Sequence, residues 1–249
     1  GVPHPARSLS LGLLGLPVEA PYDLVDMADD VAGLLDALGL ARAHVAGCSL
    51  GGMVAQTVAL AHPHRVATLT SIMSTPGGRR NSLAKPAALA ALLAAAPRSE
   101  EDTVAWYVRF FRAVGGKGFA FDEDFVRNAA RAAYRRSHDP RGFARQLAAM
   151  MKTGDRRGAL RFVRAPTLVL HGSDDPLILP AAGRATARAI PGARLRIVEG
   201  MGHDLPRGAW PILAGEIESI ARQRPAADPT APLEPRRGVA ERDAGQAVP

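Results

Sequence analysis

Residues 43–74, AHVAGCSLGGMVAQTVALAHPHRVATLTSIMS, alternate between two kinds of local pattern. The short apolar run at 43–47 is typical of a buried strand, and 49–63 reads as a helix that ends at Pro63. The β-branched run at 66–74 predicts a second strand. Strand, helix and strand in this order form a βαβ unit, which predicts a parallel sheet.

The residues before this unit divide into two parts. From Pro21 onward, apolar residues recur at three- and four-residue spacings, which predicts a helix with Asp23 as its N-cap and Gly39 as its stop. Residues 1–20 contain no convincing strand, and we expect an irregular N-terminal segment there. Together with the βαβ unit, residues 21–78 then form the first part of an α/β core.

The residues after this unit change character twice. Residues 79–160 contain successive helical patterns with no strand between them, which predicts a helical cap inserted into the core. Residues 161–224 return to the α/β pattern and form the second part of the core. Its predicted elements are a strand at 165–172, a helix near 181–190, a strand at 193–200 and a helix at 209–223. The Pro-, Ala- and charge-rich residues 225–249 lack periodicity and predict a disordered tail.

Composition narrows the class of protein. With 249 residues, 47% of them hydrophobic, the chain is long enough for one α/β domain with an inserted subdomain. The net charge of +7 comes from scattered arginines without an aromatic-interleaved patch, so we expect no nucleic-acid partner. No apolar run approaches the roughly 18 residues of a membrane span, and we expect a cytoplasmic protein without a membrane partner. The oligomeric state stays open.

The sequence Gly47-Cys48-Ser49-Leu50-Gly51 fits the pattern G-x-S-x-G between a predicted strand and a predicted helix. Such a turn lifts one side chain out of the sheet, and Ser49 occupies its apex. Cys48 is expected to point back toward the sheet as a small packing residue. Matches of five residues also occur by chance, so a glycine-rich turn with an incidental serine is the alternative.

A serine hydroxyl needs a base to become a nucleophile, and the base needs a carboxylate to orient it. Asp174 and Asp175 follow the strand at 165–172, and His203 follows the next predicted strand. The carboxyl ends of parallel strands meet at one edge of a sheet, where α/β active sites collect. Each residue taken alone also suits a capping or turn role, but their joint placement in the order Ser, Asp, His favours a catalytic site.

Three stretches carry a family resemblance: residues 47–74, PTLVLHGSDDPLILP at 166–180 and EGMGHDLP at 199–206. They resemble the α/β-hydrolase superfamily over roughly residues 20–224, and more closely its capped serine esterases of the aclacinomycin methylesterase-like type. The resemblance implies a cap that roofs the pocket and a small or medium carboxylic ester as the small-molecule substrate, with no metal or organic cofactor. It assigns the nucleophile, base and acid to Ser49, His203 and Asp175, with Asp174 as second choice for the acid.

Related chemistries remain open on the same residues. A serine at the apex argues against haloalkane dehalogenases, which place an aspartate there. A cofactor-free haloperoxidase-like activity or the hydrolysis of a C–C bond fits the same constellation.

A serine hydrolase also needs an oxyanion hole, a set of N–H donors for the charged oxygen of the tetrahedral intermediate, and the sequence predicts only part of it. Its first donor is expected to be the backbone N–H of Leu50, and the second usually comes from a loop after an early strand. Only 48 residues precede Ser49, about half as many as in the resembling family, and Gly12 and Gly15 offer the only candidate amides. We therefore expect a chain that lacks the first strands, either as a fragment of a longer hydrolase or as a degenerate enzyme. The alternative function is a catalytically silent domain with at most ligand binding.

The other chemistry-bearing residues are expected to be structural. His171 closes a strand, and His62 and His64 flank a proline at a helix end. A solvated helix face is favoured over an anion site for three arginines at four-residue spacing: Arg127, Arg131 and Arg135. Packing is expected for the large residues of the cap, some of which line an apolar pocket: Trp106, Phe110, Phe111, Met150 and Met151.

Overall fold

A computed structural model of the chain describes residues 4–81, 83–95 and 97–223, so the tail predicted at 225–249 lies outside the described residues. Its sheet has four parallel strands in chain order. They are β1 (Ala43–Cys48), β2 (Val66–Ile72), β3 (Thr167–Gly172) and β4 (Arg194–Val198). The predicted fold class, a parallel sheet flanked by helices, is confirmed.

The helices precede, connect and follow these strands. Before β1 lie α1 (Pro5–Leu14) and α2 (Leu24–Ala37), and α3 (Leu50–Ala61) connects β1 to β2. Between β2 and β3 lie α4 (Pro86–Leu92), α5 (Glu100–Val114), α6 (Glu123–Arg136), α7 (Gly142–Thr153) and α8 (Arg157–Leu160). The chain continues with α9 (Pro180–Ala189) before β4 and α10 (Trp210–Ala221) after it. We call α4 to α8 the helical insertion.

The expectation of an irregular segment at 1–20 is wrong for residues 5–14, which form α1. Pro5 stands in the first turn of this helix, where its missing N–H costs nothing. Gly15 ends the helix in the left-handed conformation, with φ of 71°. The helix packs against α7, and a Cβ on Gly12 would lie 2.6 Å from the sulfur of Met151, so a larger residue there would have to displace the Met151 side chain.

The predicted helix after Pro21 forms as α2, and its start is capped as predicted. The Asp23 carboxylate accepts hydrogen bonds from the N–H groups of Val25 and Asp26, while the Asp26 carboxylate accepts from the N–H of Asp23. This reciprocal arrangement satisfies N–H groups that have no partner inside the helix. Gly39 follows the helix with φ of 67°, as a stop signal requires.

Two apolar layers hold the sheet between helices. One layer joins α2, α3, α8 and α9 to β1 and β2, with Leu24, Val58 and Leu69 fully buried. The other joins α10 to β3 and β4 through residues such as Leu168 and Leu213. Each fully buried leucine of this kind contributes about 1.5–3 kcal/mol by leaving water. The sheet is therefore fixed from both faces, and its carboxyl edge is a rigid base for side chains.

Membrane-spanning helices are not found in the described part of the chain. No helix in it is both long enough and apolar enough to cross a bilayer.

Candidate active site

Ser49 stands at a sharp, strained turn between β1 and α3. Its backbone has φ of 53° and ψ of −119°, a conformation that side-chain-bearing residues rarely adopt. The Ser49 N–H donates to the carbonyl of Ile72 at 2.9 Å, which ties the turn to the end of β2. A Cβ on Gly47 would lie 2.1 Å from the carbonyl oxygen of Gly51, so the turn closes only with glycine at that position.

A second contact holds the start of α3 against the strand that follows it. A Cβ on Gly52 would lie 2.6 Å from the Cβ of Ser74, so glycine allows the two segments to touch. The Ser74 hydroxyl donates to the carbonyl of Ser49 at 2.7 Å. The strained backbone of Ser49 is thereby bonded on both its N–H and its carbonyl.

The structure brings three of the predicted site residues into one hydrogen-bonded chain. His203 Nε2 lies 2.9 Å from Ser49 Oγ, and His203 Nδ1 lies 2.8 Å from Asp175 Oδ2. The side chains of Asp175 and His203 are buried. Since β1, β3 and β4 run parallel, their carboxyl ends deliver residues distant in sequence to the same edge of the sheet.

Asp175 is held as a carboxylate by its partners. Its Oδ1 accepts the N–H groups of Leu177 and Ile178, both at 2.9 Å. Burial on its own would raise the pKa of Asp175, but hydrogen bonds from His171 and His203 outweigh it and hold that pKa below its usual value. A charged Asp175 favours the tautomer of His203 that carries its proton on Nδ1 and leaves Nε2 free to accept a proton.

Asp174, the second choice for the acid, points elsewhere. Its carboxylate accepts from the Ser173 hydroxyl at 3.0 Å and from the N–H of Lys117 at 3.4 Å. Between the two neighbouring aspartates, the geometry therefore favours Asp175 as the partner of His203.

His171 lies behind Asp175 and is fully buried. Its Nε2 lies 2.8 Å from the carbonyl of Ile178 and 3.4 Å from Asp175 Oδ2. A Cβ on Gly183 would lie 2.5 Å from its Nδ1, so α9 covers the other edge of the ring. These contacts fit the structural role predicted for His171, which is to support the loop that carries Asp175.

The loop that carries His203 is packed against the α5–α6 connection, a contact that sequence reasoning missed. The N–H of His203 donates to the carbonyl of Val114 at 2.7 Å. Gly116 and Gly202 touch backbone to backbone, because a Cβ on Gly202 would lie 2.2 Å from the nitrogen of Gly116. Asp204 Oδ1 accepts the N–H of Gly202 at 3.1 Å and that of Gly116 at 3.5 Å. No local sequence pattern around these glycines predicts a contact between segments that lie some ninety residues apart in the chain.

The N–H of Leu50, the expected oxyanion donor, belongs to the first residue of α3 and has no partner inside the helix. Gly12 and Gly15 are less suited to supply the second donor. Gly12 lies within α1, and the N–H of Gly15 donates to the carbonyl of Gly12 at 3.0 Å.

Ser49 and Leu50 border a cavity of about 740 Å³ between the sheet edge, α1 and the helical insertion. Apolar side chains contribute to its wall: Leu13, Leu50, Met53, Leu89, Met150 and Met151. The two methionines therefore line the pocket, as expected for part of the set predicted in the cap. A cavity of this size and composition suits a small organic ligand.

Three of the other candidates, His62, Arg127 and Arg135, have partners away from this cavity. His62 Nε2 lies 2.7 Å from Asp29 Oδ1, which joins α3 to α2. Arg127 and Arg135 bond to the carboxylates of Glu123 and Glu100 on the surface of the helical insertion. Within the described ranges, no group of three or more His, Cys, Asp or Glu side chains is arranged to hold a metal ion.

Cys48, the neighbour of Ser49, is partly buried and packs against the second apolar layer. Burial raises the pKa of its thiol, which keeps the sulfur protonated and a poor nucleophile. Position and protonation state both favour Ser49 over Cys48.

The known proteins to which this chain is similar include hydrolases and methylesterases. The family model described as alpha/beta hydrolase fold matches residues 5–206. Two rhodomycin D methylesterases, of Streptomyces sp. (strain C5) and Streptomyces peucetius, are each 29% identical over 222 residues, covering 79% of this chain and 72% of theirs. A solved hydrolase from Pseudomonas aeruginosa PA01 is 29% identical, with a TM-score of 0.59 over 84% of this chain and 75% of that one.

Proposed function

The chain belongs to the α/β-hydrolase fold family, and on that premise we propose that it is a serine hydrolase that cleaves a small or medium carboxylic ester. The observation that carries this proposal is the hydrogen-bonded chain from Ser49 through His203 to Asp175, with 2.9 Å and 2.8 Å between its members. Methylesterases among the relatives support an ester as the substrate.

In the first half-reaction, Ser49 Oγ attacks the carbonyl carbon of the ester while its proton passes to His203 Nε2. The carbonyl π electrons move to the oxygen, and the resulting oxyanion accepts a hydrogen bond from the N–H of Leu50. When the tetrahedral intermediate collapses, the C–O bond to the alcohol breaks. The leaving oxygen takes the proton from His203, and the acyl group remains on Ser49.

In the second half-reaction, a water molecule attacks the acyl carbon and gives a proton to His203 Nε2. Collapse of the second intermediate breaks the bond to Ser49 Oγ, which takes the proton back. The products are a carboxylic acid and an alcohol, and the enzyme returns to its starting state. Throughout, Asp175 holds the imidazole in orientation and stabilises its protonated form.

The competing function is a catalytically silent domain that only binds a ligand. One observation favours it: among the described residues, the candidate amides for a second oxyanion donor lie in or donate within α1. Removal of one such donor lowers a serine hydrolase's rate by about 10²–10³. A rate reduced to that degree remains measurable on an activated ester.

The test measures hydrolysis of p-nitrophenyl butyrate by the purified chain, by Ser49→Ala and by Cys48→Ala. We expect turnover by the native chain, a loss of at least about 10³-fold in Ser49→Ala, and little change in Cys48→Ala. A fluorophosphonate probe should label the native chain and Cys48→Ala but not Ser49→Ala. A folded native chain that neither turns over the ester nor takes up the probe would support the silent domain.

A further inference from the structure

Arg156 is a buried cation beside the same cavity as Ser49. It precedes α8, lines the cavity and is only 5% exposed. Burial lowers the pKa of its guanidinium to about 10, so the group remains protonated at neutral pH. A buried charge ordinarily requires an opposite charge or a full set of hydrogen bonds.

The partners of Arg156 are neutral and incomplete. Its Nη1 donates to the carbonyl of Gly154 at 3.1 Å, and its Nη2 donates to the carbonyl of Thr75 at 2.8 Å and to Gln56 Oε1 at 3.3 Å. The buried Nε has no hydrogen-bond partner, and no carboxylate forms an ion pair with Arg156 in the part of the chain that the structure describes. In the described part of the chain, the guanidinium of Arg156 is therefore bonded only to neutral groups, and the charge of Asp155 acts on it without a direct bond.

Other cations also line the cavity: Arg79, Arg80, Arg157 and Lys152, the last of which forms an ion pair with Asp23 at 3.6 Å. Asp155 is the one acidic residue among the described residues that line it, and Arg157 donates to both of its carboxylate oxygens. The positive potential of this wall is consequently not cancelled by Asp155. An anionic group entering from the cavity would meet a desolvated guanidinium, where a charge-assisted hydrogen bond is strongest.

The position of Arg156 relative to Ser49 follows from α3. Gln56, which bonds to Arg156, lies seven residues after Ser49, or about two helical turns, which is roughly 10 Å along the axis. Apolar side chains such as Met53 and Leu147 line the same cavity. This layout fits a ligand with a reacting ester at one end, an apolar middle and an anion at the other end.

We propose that the site takes esters whose acyl chain ends in a carboxylate, and that Arg156 binds this carboxylate while Ser49 attacks the ester. This substrate class rests on the proposed serine hydrolase function. Arg156 then determines specificity by favouring the anionic substrate over a neutral one of the same shape.

The test compares two activated esters of one shape. One is the mono-p-nitrophenyl ester of a dicarboxylic acid, in a series from succinate to suberate, and the other carries an isopropyl group in place of the free carboxylate. We expect the native chain to favour the carboxylate ester of the fitting length by at least about tenfold in kcat/KM, mainly through KM. Equal kcat/KM for both esters at every length would overturn the proposal.

Variants separate charge recognition from packing. Arg156→Met should lower kcat/KM for the carboxylate ester by at least about tenfold more than for the neutral ester, so that the preference is lost, and Arg156→Lys should keep part of the preference. The matched control is Arg161→Met, which removes an exposed arginine whose guanidinium stacks on Phe162, and it should change neither ester. A variant that lowers both rates equally while circular dichroism shows a native fold would assign Arg156 a structural role only.

A binding measurement distinguishes this proposal from the function on which it rests. Ser49→Ala retains the cavity but cannot turn over an ester, so monomethyl adipate and dimethyl adipate are titrated into it by calorimetry. Preferential binding of the monoanion that is lost in Ser49→Ala/Arg156→Met supports the anion site, even if the native chain hydrolyses nothing. Equal or absent binding of both compounds, together with turnover of neutral esters by the native chain, would leave the hydrolase and reject the anion site.

Discussion

The two sides of the candidate site are built differently. On the His203 side, the side chains of Asp175 and His203 are buried, and hydrogen bonds of 2.7–3.5 Å hold the loops that carry them. On the opposite side, a cavity of about 740 Å³ is walled by α1 and the helical insertion, and Arg156 lines it with hydrogen bonds to neutral groups. Under the proposed function, the sheet edge sets the chemistry, while the insertion sets what is bound.

The largest expected effect comes from replacing Asp175, the proposed acid on the His203 side of the site. Asp175→Asn should lower kcat for an activated ester by about 10⁴-fold, because an amide no longer holds the required tautomer of His203. Asp174→Asn is the matched control, since the neighbouring carboxylate contacts Ser173 and Lys117 rather than His203. Steady-state kinetics of both variants check the assignment. A large loss in Asp174→Asn with little change in Asp175→Asn would exchange the two roles.

A smaller effect is expected from the glycine contact that fixes the His203 loop. A Cβ on Gly116 would lie 2.1 Å from the carbonyl oxygen of Gly200, so Gly116→Ala must displace backbone. We expect a loss of about 1–3 kcal/mol in the free energy of unfolding, with reduced activity because His203 shifts. Urea denaturation and ester hydrolysis measure the two effects.

The control for this prediction is a glycine with free space. Gly33 lies inside α2, and nothing would meet a Cβ there within 4 Å. Gly33→Ala should stabilise the fold by about 0.5–1 kcal/mol and leave activity unchanged. Equal effects of the two substitutions would mean that the contact between Gly116 and the His203 loop does not hold the site together.

The smallest effect concerns Asp204, which joins the two loops. Burial raises the pKa of this carboxyl above its usual value, although bonds from Gly116 and Gly202 oppose the shift. The folded state therefore binds a proton more readily than the unfolded state, and the contribution of Asp204 to stability is lost as pH rises through the raised pKa. Since solvent screens this partly exposed group, we expect less than about 1 kcal/mol.

Replacement of Asp204 tests the sign of this effect. Asp204→Asn keeps an acceptor for the two N–H groups but removes the charge, so it should be as stable as or more stable than the native chain at neutral pH. The gain should vanish below the ordinary carboxyl pKa of 3.8. Thermal denaturation across pH gives the answer, and a variant less stable only at neutral pH would show that the charge itself is needed.

Local patterns predicted most of the fold. The strands expected at 43–47 and 66–74 form because apolar and β-branched runs suit a sheet covered on both faces. The turn at Ser49 depends on Gly47, and Gly52 lets α3 approach Ser74, and both glycines are read directly from the sequence. By contrast, α1 was missed because Gly12 interrupts its apolar pattern, and the helix depends on packing against α7.

In the candidate site too, local patterns predicted some features, and others depend on contacts between distant residues. Asp175 and His203 follow strands, so their meeting at one sheet edge was predictable, and their catalytic roles stay predictions. The environment of Arg156 was not predictable, since its partners Thr75 and Gln56 lie 81 and 100 residues earlier in the chain. No periodicity or motif marks a burial that depends on such distant contacts.

The position of the acyl group during turnover tests the proposed role of Ser49. The chain is mixed with p-nitrophenyl butyrate, quenched in acid and digested with trypsin, and the peptide of residues 43–65 is fragmented in a mass spectrometer. We expect one butyryl group on Ser49 in the native chain and none in this peptide of Ser49→Ala. A butyryl group on Cys48, or turnover by Ser49→Ala at the native rate, would contradict it.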